Sequence, residues 1–426
     1  MIQQIIEQQC NDVQVVDSKS PSNDCPWCNG KEYHHSSSTL RLHREIIDFV
    51  KWISPTPEER HLRDIVILRF RNALKLLWPE SKLILHGSSA NQTYLPNGDI
   101  DFVVYGPPKN CTDEKLLEDL NLHLNSLNLF RGSEIIRSAR CPIIKGVEKP
   151  FGYHIDIAVN NYNGILNIKR NRKLMEVYPA LYPLFMFLKF FMFQIRLDEP
   201  YHGGISSNTL QQMIVFVIQS SSDRDQLSLG RLLQLFFKTF GDTFNYITTG
   251  FSTREGGRLF SKLDLGRVDW KYPIALCIED PQNPGAFLGE NCFRCYEFRK
   301  YCYSSFSKLM RESTSYQQSI LLRIIERPNW LINYRSDLLK QYQTLVGNPT
   351  ESIPLIQPKE EHNRQRQRYN DRPSSTSRND FHKNIDFRNN NSDFRNNYRN
   401  NNRTYPRKTE RWETTKSFKQ RFYDKK

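Results

Sequence analysis

The segment that most constrains this chain is His86-Gly87-Ser88, followed eleven residues after Ser88 by Asp99-Ile100-Asp101 at the head of the apolar run Phe102-Val103-Val104-Tyr105. Side chains alternate across a strand, so carboxylates at i and i+2 share one face of it. A charged pair costs free energy in a strand, and the bland reading is a solvated strand end. Held on a rigid face, the same pair suits two divalent cations set against a phosphate. The Gly87-Ser88 turn offers backbone N–H groups and a hydroxyl to a triphosphate. The combination predicts phosphoryl or nucleotidyl transfer.

A third carboxylate fits the same site. Phe151-Gly152-Tyr153-His154-Ile155-Asp156-Ile157-Ala158-Val159-Asn160 is a second strand pattern. A two-ion site needs a further ligand, and Asp156 is the candidate by spacing. Asp113, Glu114 and Glu118 lie in a polar, helix-like stretch and read as a solvated face. Glu134 and Glu148 lie near turn signals and are poorer choices.

These residues resemble the polymerase-β-type nucleotidyltransferases. The arrangement Gly-Ser, then Tyr94-Leu95-Pro96-Asn97-Gly98-Asp99-Ile100-Asp101, then a later strand Asp, is most similar to the TRAMP-type nuclear poly(A) polymerases. Ile47-Asp48-Phe49 with Ile53-Ser54-Pro55-Thr56-Pro57-Glu58-Glu59, Tyr178-Pro179-Ala180-Leu181-Tyr182-Pro183-Leu184, Gly203-Gly204-Ile205-Ser206-Ser207, Phe244-Asn245-Tyr246 and Ile278-Glu279-Asp280-Pro281 extend the resemblance over roughly residues 40 to 310. It implies an α+β fold. A mixed-sheet catalytic palm would stand beside a helical central (PAP-associated) domain, with the active site between the lobes. The resemblance also implies that Mg²⁺ or Mn²⁺ is held by Asp99, Asp101 and Asp156, with Asp156 helping to deprotonate an RNA 3′-hydroxyl. Gly87 and Ser88 would meet the triphosphate of ATP, joined by Lys189 and by Ser207. Lys189 interrupts an apolar run and, on its own, could snorkel to water. Gly-Gly-Ile-Ser-Ser, on its own, is a helix start with a Ser cap.

The chain departs from the family where the base is read. The family has a Tyr after the second Ser, and this chain has Asn208. Base stacking on a ring is worth roughly 1–3 kcal/mol, so Asn208 should weaken nucleotide binding unless another ring substitutes. The family's Asn-Asp-x-Gly-Arg loop is here Ala286-Phe287-Leu288-Gly289-Glu290. Nucleotidyl transfer is therefore better marked than the choice of adenine. The leading expectation is a template-independent RNA 3′-terminal nucleotidyltransferase adding AMP from ATP. The alternatives are uridylyl or mixed transfer, and an RNA-binding scaffold that has lost turnover. The resemblance further implies a zinc-knuckle RNA-binding protein and an RNA helicase as partners. It also implies a nuclear setting, with the cytoplasm as the alternative.

The net charge is +14, but residues 359–426 hold nineteen Lys/Arg against nine Asp/Glu, leaving only +4 elsewhere. This tail is Asn-rich, repeats Asp386-Phe387-Arg388-Asn389-Asn390 as Asp393-Phe394-Arg395-Asn396-Asn397, and has few aliphatics. Such composition cannot bury enough apolar surface to fold alone. Arg interleaved with Phe387, Phe394, Tyr398, Tyr405 and Trp412 suits single-stranded RNA; the bland reading is a solubilising tail. Nine scattered Cys do not suggest a disulfide framework. With Met1-Ile2-Gln3-Gln4 unlike a leader and the run from Leu181 to Ile195 too short for a bilayer, this predicts a reducing intracellular setting without a membrane. Cys25-Pro26-Trp27-Cys28 with His34-His35 has partial zinc-knuckle character, while Cys292 and Cys295 read as core residues on a helix.

The expected organisation is a flexible arm over 1–38, N-terminal helices and the catalytic domain over 39–170, the helical domain over 171–350 and a disordered tail over 351–426. Leu40, His43, Ile46, Ile47 and Val50 have helical spacing, and a second helix runs from Glu59 to Trp78 before Pro79. Strands are expected near 83–87, 99–105, 134–138 and 153–159, and helices near 181–196, 206–219, 228–240 and 293–310. The resemblance has both N-terminal helices packing with the second domain.

Overall fold

A computed structural model describes residues 13–17, 25–109, 111–137, 141–161, 163–311 and 319–347. The tail over 351–426 lies outside the described residues, as does part of the N-terminal arm.

The palm is a mixed five-stranded sheet. Its strands are β3 (Lys82–Leu85), β4 (Ile100–Tyr105), β5 (Phe130–Ile136), β6 (Ile143–Glu148) and β7 (His154–Val159), in the order β3-β4-β7-β6-β5. β4 and β7 run parallel at its centre, and the other neighbours are antiparallel. Helix α2 (Pro57–Leu77) starts on a capping box. Thr56 accepts from Glu59 N–H, Glu59 accepts from Thr56 N–H, and Pro57 holds the first turn. Its Leu62, Val66, Phe70 and Leu74 pack on Ile100, Phe102 and Ile155 of the sheet, with Leu117 and Leu120 of α4 (Asp113–Ser126) completing the core.

A second core is helical. Helix α1 (Ser38–Ile53) joins α6 (Leu181–Gln194), α7 (Ser207–Ser220), α8 (Leu229–Lys238) and α9 (Cys295–Leu309) through Phe49, Phe187, Phe190, Met213, Phe236 and Phe298. A short sheet, β11-β10-β8-β9, edges this lobe, with β8 Thr249–Ser252, β9 Arg258–Ser261, β10 Ile278–Glu279 and β11 Phe287–Leu288. Between the short helix α3 (Gly87–Asn91) and α6 lies α5 (Asn163–Val177). Helix α10 (Asn329–Gly347) closes the described chain.

Four sequence expectations are corrected. The two cores do not divide at residues 170 and 171. Helix α1 packs with the helical lobe as the resemblance implied, but α2 belongs to the palm, and α10 returns to the palm through Leu338. Strands 83–87 and 99–105 begin or end differently: β3 stops at Leu85 because α3 begins at Gly87, and Asp99 is the last loop residue before β4.

The third correction concerns the arm over 1–38. β1 (Gln14–Asp17) and β2 (Lys31–His34) pair antiparallel, and Trp27 is buried against Phe49 and Trp52 with ring centroids 5.0 and 5.9 Å away. One large amphipathic ring with a bondable N–H anchors this otherwise polar segment.

Fourth, Cys25 and Cys28 form a disulfide with Cα atoms 5.4 Å apart. The turn between them brings both sulfurs together as a disulfide, in place of the partial zinc-knuckle arrangement. His34 and His35 do not join them. The His34 ring meets Glu32 at 3.0 Å, and His35 Nδ1 accepts from Ser37 N–H at 2.8 Å. Among the described residues no single helix is long and apolar enough to cross a bilayer. α5 and α6 reach that length only together, through a 115° bend.

Candidate active site

The parallel pairing of β4 with β7 sets Asp101 directly opposite Asp156. Asp99 stands two residues before Asp101, with Ile100 between them fully buried, so both acids take the other face. Gly87 presses against this group. It has φ +54°, and a Cβ there would lie 2.8 Å from Asp101 Oδ2. His86 N–H donates to Asp101 O at 2.9 Å, tying the turn to the strand. Ser88 follows on α3, half-buried, and its carbonyl accepts from Thr93 N–H at 3.0 Å.

Burial, then the charges of Asp99 and Asp156, push the Asp101 carboxyl up to about 7, while Lys189 and Arg63 pull the other way. Lys189 does not snorkel to water. It leaves α6 towards the palm and donates to Thr93 O at 3.0 Å; burial holds its ammonium below the usual lysine range, against the opposing charges of Asp101 and Asp99.

The donor set suits hard divalent cations. It is all oxygen, backed by a glycine that no side chain can replace without filling the space beside Asp101. The crowded carboxylates are at odds over their charge until a cation neutralises them. Among the described residues, Cys25, Cys28 and Glu45 form the one His/Cys/Asp/Glu trio whose donor atoms all lie within 4.8 Å of one another. Glu45 is itself saturated. It accepts from Trp27 Nε1 at 3.0 Å, from Ile320 N–H at 2.8 Å, from Leu321 N–H at 3.3 Å and from the Ser319 hydroxyl.

Ser206, not Ser207, caps α7, accepting from Thr209 N–H at 3.1 Å, so Ser207 and Asn208 are the exposed first residues of that helix. Gly289, in the loop from Ala286 to Glu290, lies beside the buried Thr209 that follows them, since a Cβ on it would reach Thr209 Cγ2 at 3.5 Å. Phe287 packs under the Arg267 guanidinium at 4.6 Å, and Glu290 pairs with Arg267 at 3.6 Å. Cys292 and Cys295 are buried as expected, Cys295 opening α9 and Cys292 donating to Gly204 O.

Sequence reasoning missed Arg63. On the buried face of α2, it reaches the loop carrying Asp99. Its only signal was a charge inside an otherwise apolar helical stripe.

The family model described as "Poly(A) RNA polymerase, mitochondrial-like, central palm domain" matches residues 42–179, and that of "Cid1 family poly A polymerase" matches residues 228–285. The solved polymerase core of TRAMP, an RNA surveillance complex, superposes with a TM-score of 0.62 at 30% identity, over 70% of this chain and 98% of that one. The chain belongs to the TRAMP-type poly(A) polymerase family. Another member of this family, Poly(A) RNA polymerase cid14 of Schizosaccharomyces pombe, is 29% identical over 358 residues, which is 79% of this chain and 52% of the relative. Inactive non-canonical poly(A) RNA polymerase protein Trf4-2 of Drosophila melanogaster is 29% identical over 338 residues, 74% of this chain and 81% of the relative. The chain spans about half the length of the first curated relatives it matches.

Proposed function

We propose that this chain is a template-independent RNA 3′-terminal nucleotidyltransferase that adds AMP from ATP. The observation that carries the reading is the pairing of Asp101 with Asp156 across the two parallel strands, with Asp99 beside them and Gly87 against the Asp101 carboxylate. Asp99, Asp101 and Asp156 would hold Mg²⁺ or Mn²⁺, which would supply activation of the RNA 3′-hydroxyl and neutralisation of charge on the departing pyrophosphate. Asp156 accepts the hydroxyl proton. Gly87 N–H and the Ser88 hydroxyl donate to the triphosphate from one wall. Lys189 and Ser207 meet it from the other, and Lys189 is already drawn to that region by Asp101 and Asp99. Asn208 and the loop from Ala286 to Glu290 contact the base. A nuclear RNA-surveillance setting, with a zinc-knuckle RNA-binding protein and a helicase as partners, rests on family membership.

A second reading concerns the base. Phe287 and Glu290 are both engaged by Arg267, which favours altered or relaxed selectivity, with UTP or several nucleotides accepted. Primer extension on labelled oligo(A) RNA with each nucleotide separately tests both. ATP-dependent extension, reduced at least about a hundredfold in Asp99→Ala/Asp101→Ala, is the expected result. Extension with UTP or with all four would move the reading to uridylyl or mixed transfer. No extension with any nucleotide in the presence of the expected partners would leave an RNA-binding scaffold, like the inactive Drosophila relative in turnover.

A further inference from the structure

Arg63 is 3% exposed, on the same face of α2 as the core residues Leu62 and Val66. A guanidinium taken out of water is costly unless its donors are met. Among the described residues its polar partners are two main-chain carbonyls and a hydroxyl, not a carboxylate. Nη1 donates to Gly98 O at 2.7 Å, and Nη2 donates to Asp99 O at 2.9 Å and to Ser89 Oγ at 3.1 Å. Ser89 Oγ in turn donates to the same Asp99 carbonyl at 3.2 Å. The guanidinium is held in place by the Tyr94 ring at 4.0 Å and the Tyr153 ring at 5.3 Å. Tyr334 of α10 donates to Pro96 O at 3.4 Å, adding a further contact to the same loop.

We propose that Arg63 is a positioning residue that sets the divalent-cation affinity of the site by fixing the backbone from which Asp99 projects. This role rests on the metal-binding reading of Asp99, Asp101 and Asp156 given above. Asp99 is the last residue before β4, and the fork of Arg63 grips its carbonyl together with that of Gly98. A planar guanidinium reaches two successive carbonyls and a hydroxyl at once, whereas an ammonium is a point donor. Removing the fork takes the Arg63 donor from the Gly98 carbonyl and leaves the Asp99 carbonyl with Ser89 Oγ, so the loop can shift. Because the charge of Arg63 is not consumed by a neighbouring acid, it also lies open to the aspartates, and Asp101 feels it.

The test uses Mn²⁺ alone as the probe, titrated by the electron-paramagnetic-resonance signal of the free ion. Wild type, Asp101→Asn, Arg63→Lys and Ser89→Ala are compared, each with a thermal melt. Arg63→Lys is expected to bind Mn²⁺ about tenfold more weakly. In primer extension its half-saturating Mg²⁺ should rise by about the same factor. The KM for RNA should stay unchanged and the rate should recover at high Mg²⁺, which a merely structural defect would not show. If Arg63→Lys does not fold, Ser89→Ala removes only the bridging hydroxyl and should weaken Mn²⁺ by about threefold. Wild-type Mn²⁺ affinity in a folded Arg63→Lys or in Ser89→Ala overturns the proposal, as does a lost rate that added metal does not restore. Equal Mn²⁺ binding by wild type and Asp101→Asn is a different result: it defeats the metal-site reading itself, and the role of Arg63 with it.

Discussion

At Gly87 two requirements meet in one residue. The backbone adopts φ +54°, which a side chain disfavours by roughly 1–2 kcal/mol. A Cβ would also sit 2.8 Å from Asp101 Oδ2. The first cost falls on stability and the second on the carboxylate. Gly87→Ala should therefore lower the melting temperature modestly, yet reduce nucleotide incorporation by at least about tenfold, because displacing a ligand or the groups that hold it costs that much in metal sites. Steady-state assays beside a melt check this, and an Ala variant with wild-type turnover would refute the contact. The three aspartates were legible because strand periodicity and an apolar run state where a side chain points. Arg63 was not, because a charge in a helix usually marks the solvated face, and only the tertiary fold reveals carbonyls waiting above it.

Elements with a strong local signal matched the sequence, and those defined by distant partners did not. Helix α2 carried its own capping box and a proline at its first turn, and was placed within two residues of its bounds. β6, six residues long with Gly146 in its middle, offered no alternation to read, and it exists because β5 and β7 flank it. The N-terminal arm is the sharpest case. Its polar composition predicts an unstructured segment, but Trp27 finds Phe49, Trp52 and the Glu45 carboxylate on α1. Glu45 also receives Ile320 and Leu321 N–H, so one buried acid ties the arm and the segment before α10 to the same helix. Its proton affinity is raised by burial against the pull of these donors. Trp27→Ala should destabilise the helical lobe by about 3–5 kcal/mol, the cost of a large buried aromatic. Urea unfolding followed by far-UV circular dichroism would measure it, and a change below about 1 kcal/mol would show that the arm is only laid against the lobe.

Across the whole molecule, charge is distributed so that the folded palm and the tail have different dependences on solution conditions. At the end of β6, Glu148 is fully buried and paired with Arg69 at 2.8 Å, yet burial outweighs this attraction and pushes its carboxyl up to about 7. The native state then holds a proton that the unfolded chain releases near 4.5. The associated stability is complete below pH 4.5 and is lost as pH rises through 7, by at most about 3 kcal/mol. Urea midpoints of wild type should fall over that window relative to Glu148→Gln, and parallel curves would exclude it. For the tail the expectation concerns affinity for RNA instead. Residues 359–426 carry +10 of the chain's +14, so most of the excess positive charge lies in that stretch of sequence. Each neutralised phosphate releases counterions, with a slope of about −0.7 per contact in log affinity against log salt for single strands. Deleting residues 351–426 should therefore raise the KM for RNA by at least about tenfold near 0.15 M salt and flatten its salt dependence. The KM for the nucleotide should stay within about twofold, because Ser88, Lys189 and Ser207 all lie outside the deleted segment. Primer-extension kinetics at several salt concentrations decide between the two roles: an unchanged RNA KM and slope would make the tail a solubilising segment and assign RNA affinity to the folded lobes or to a partner.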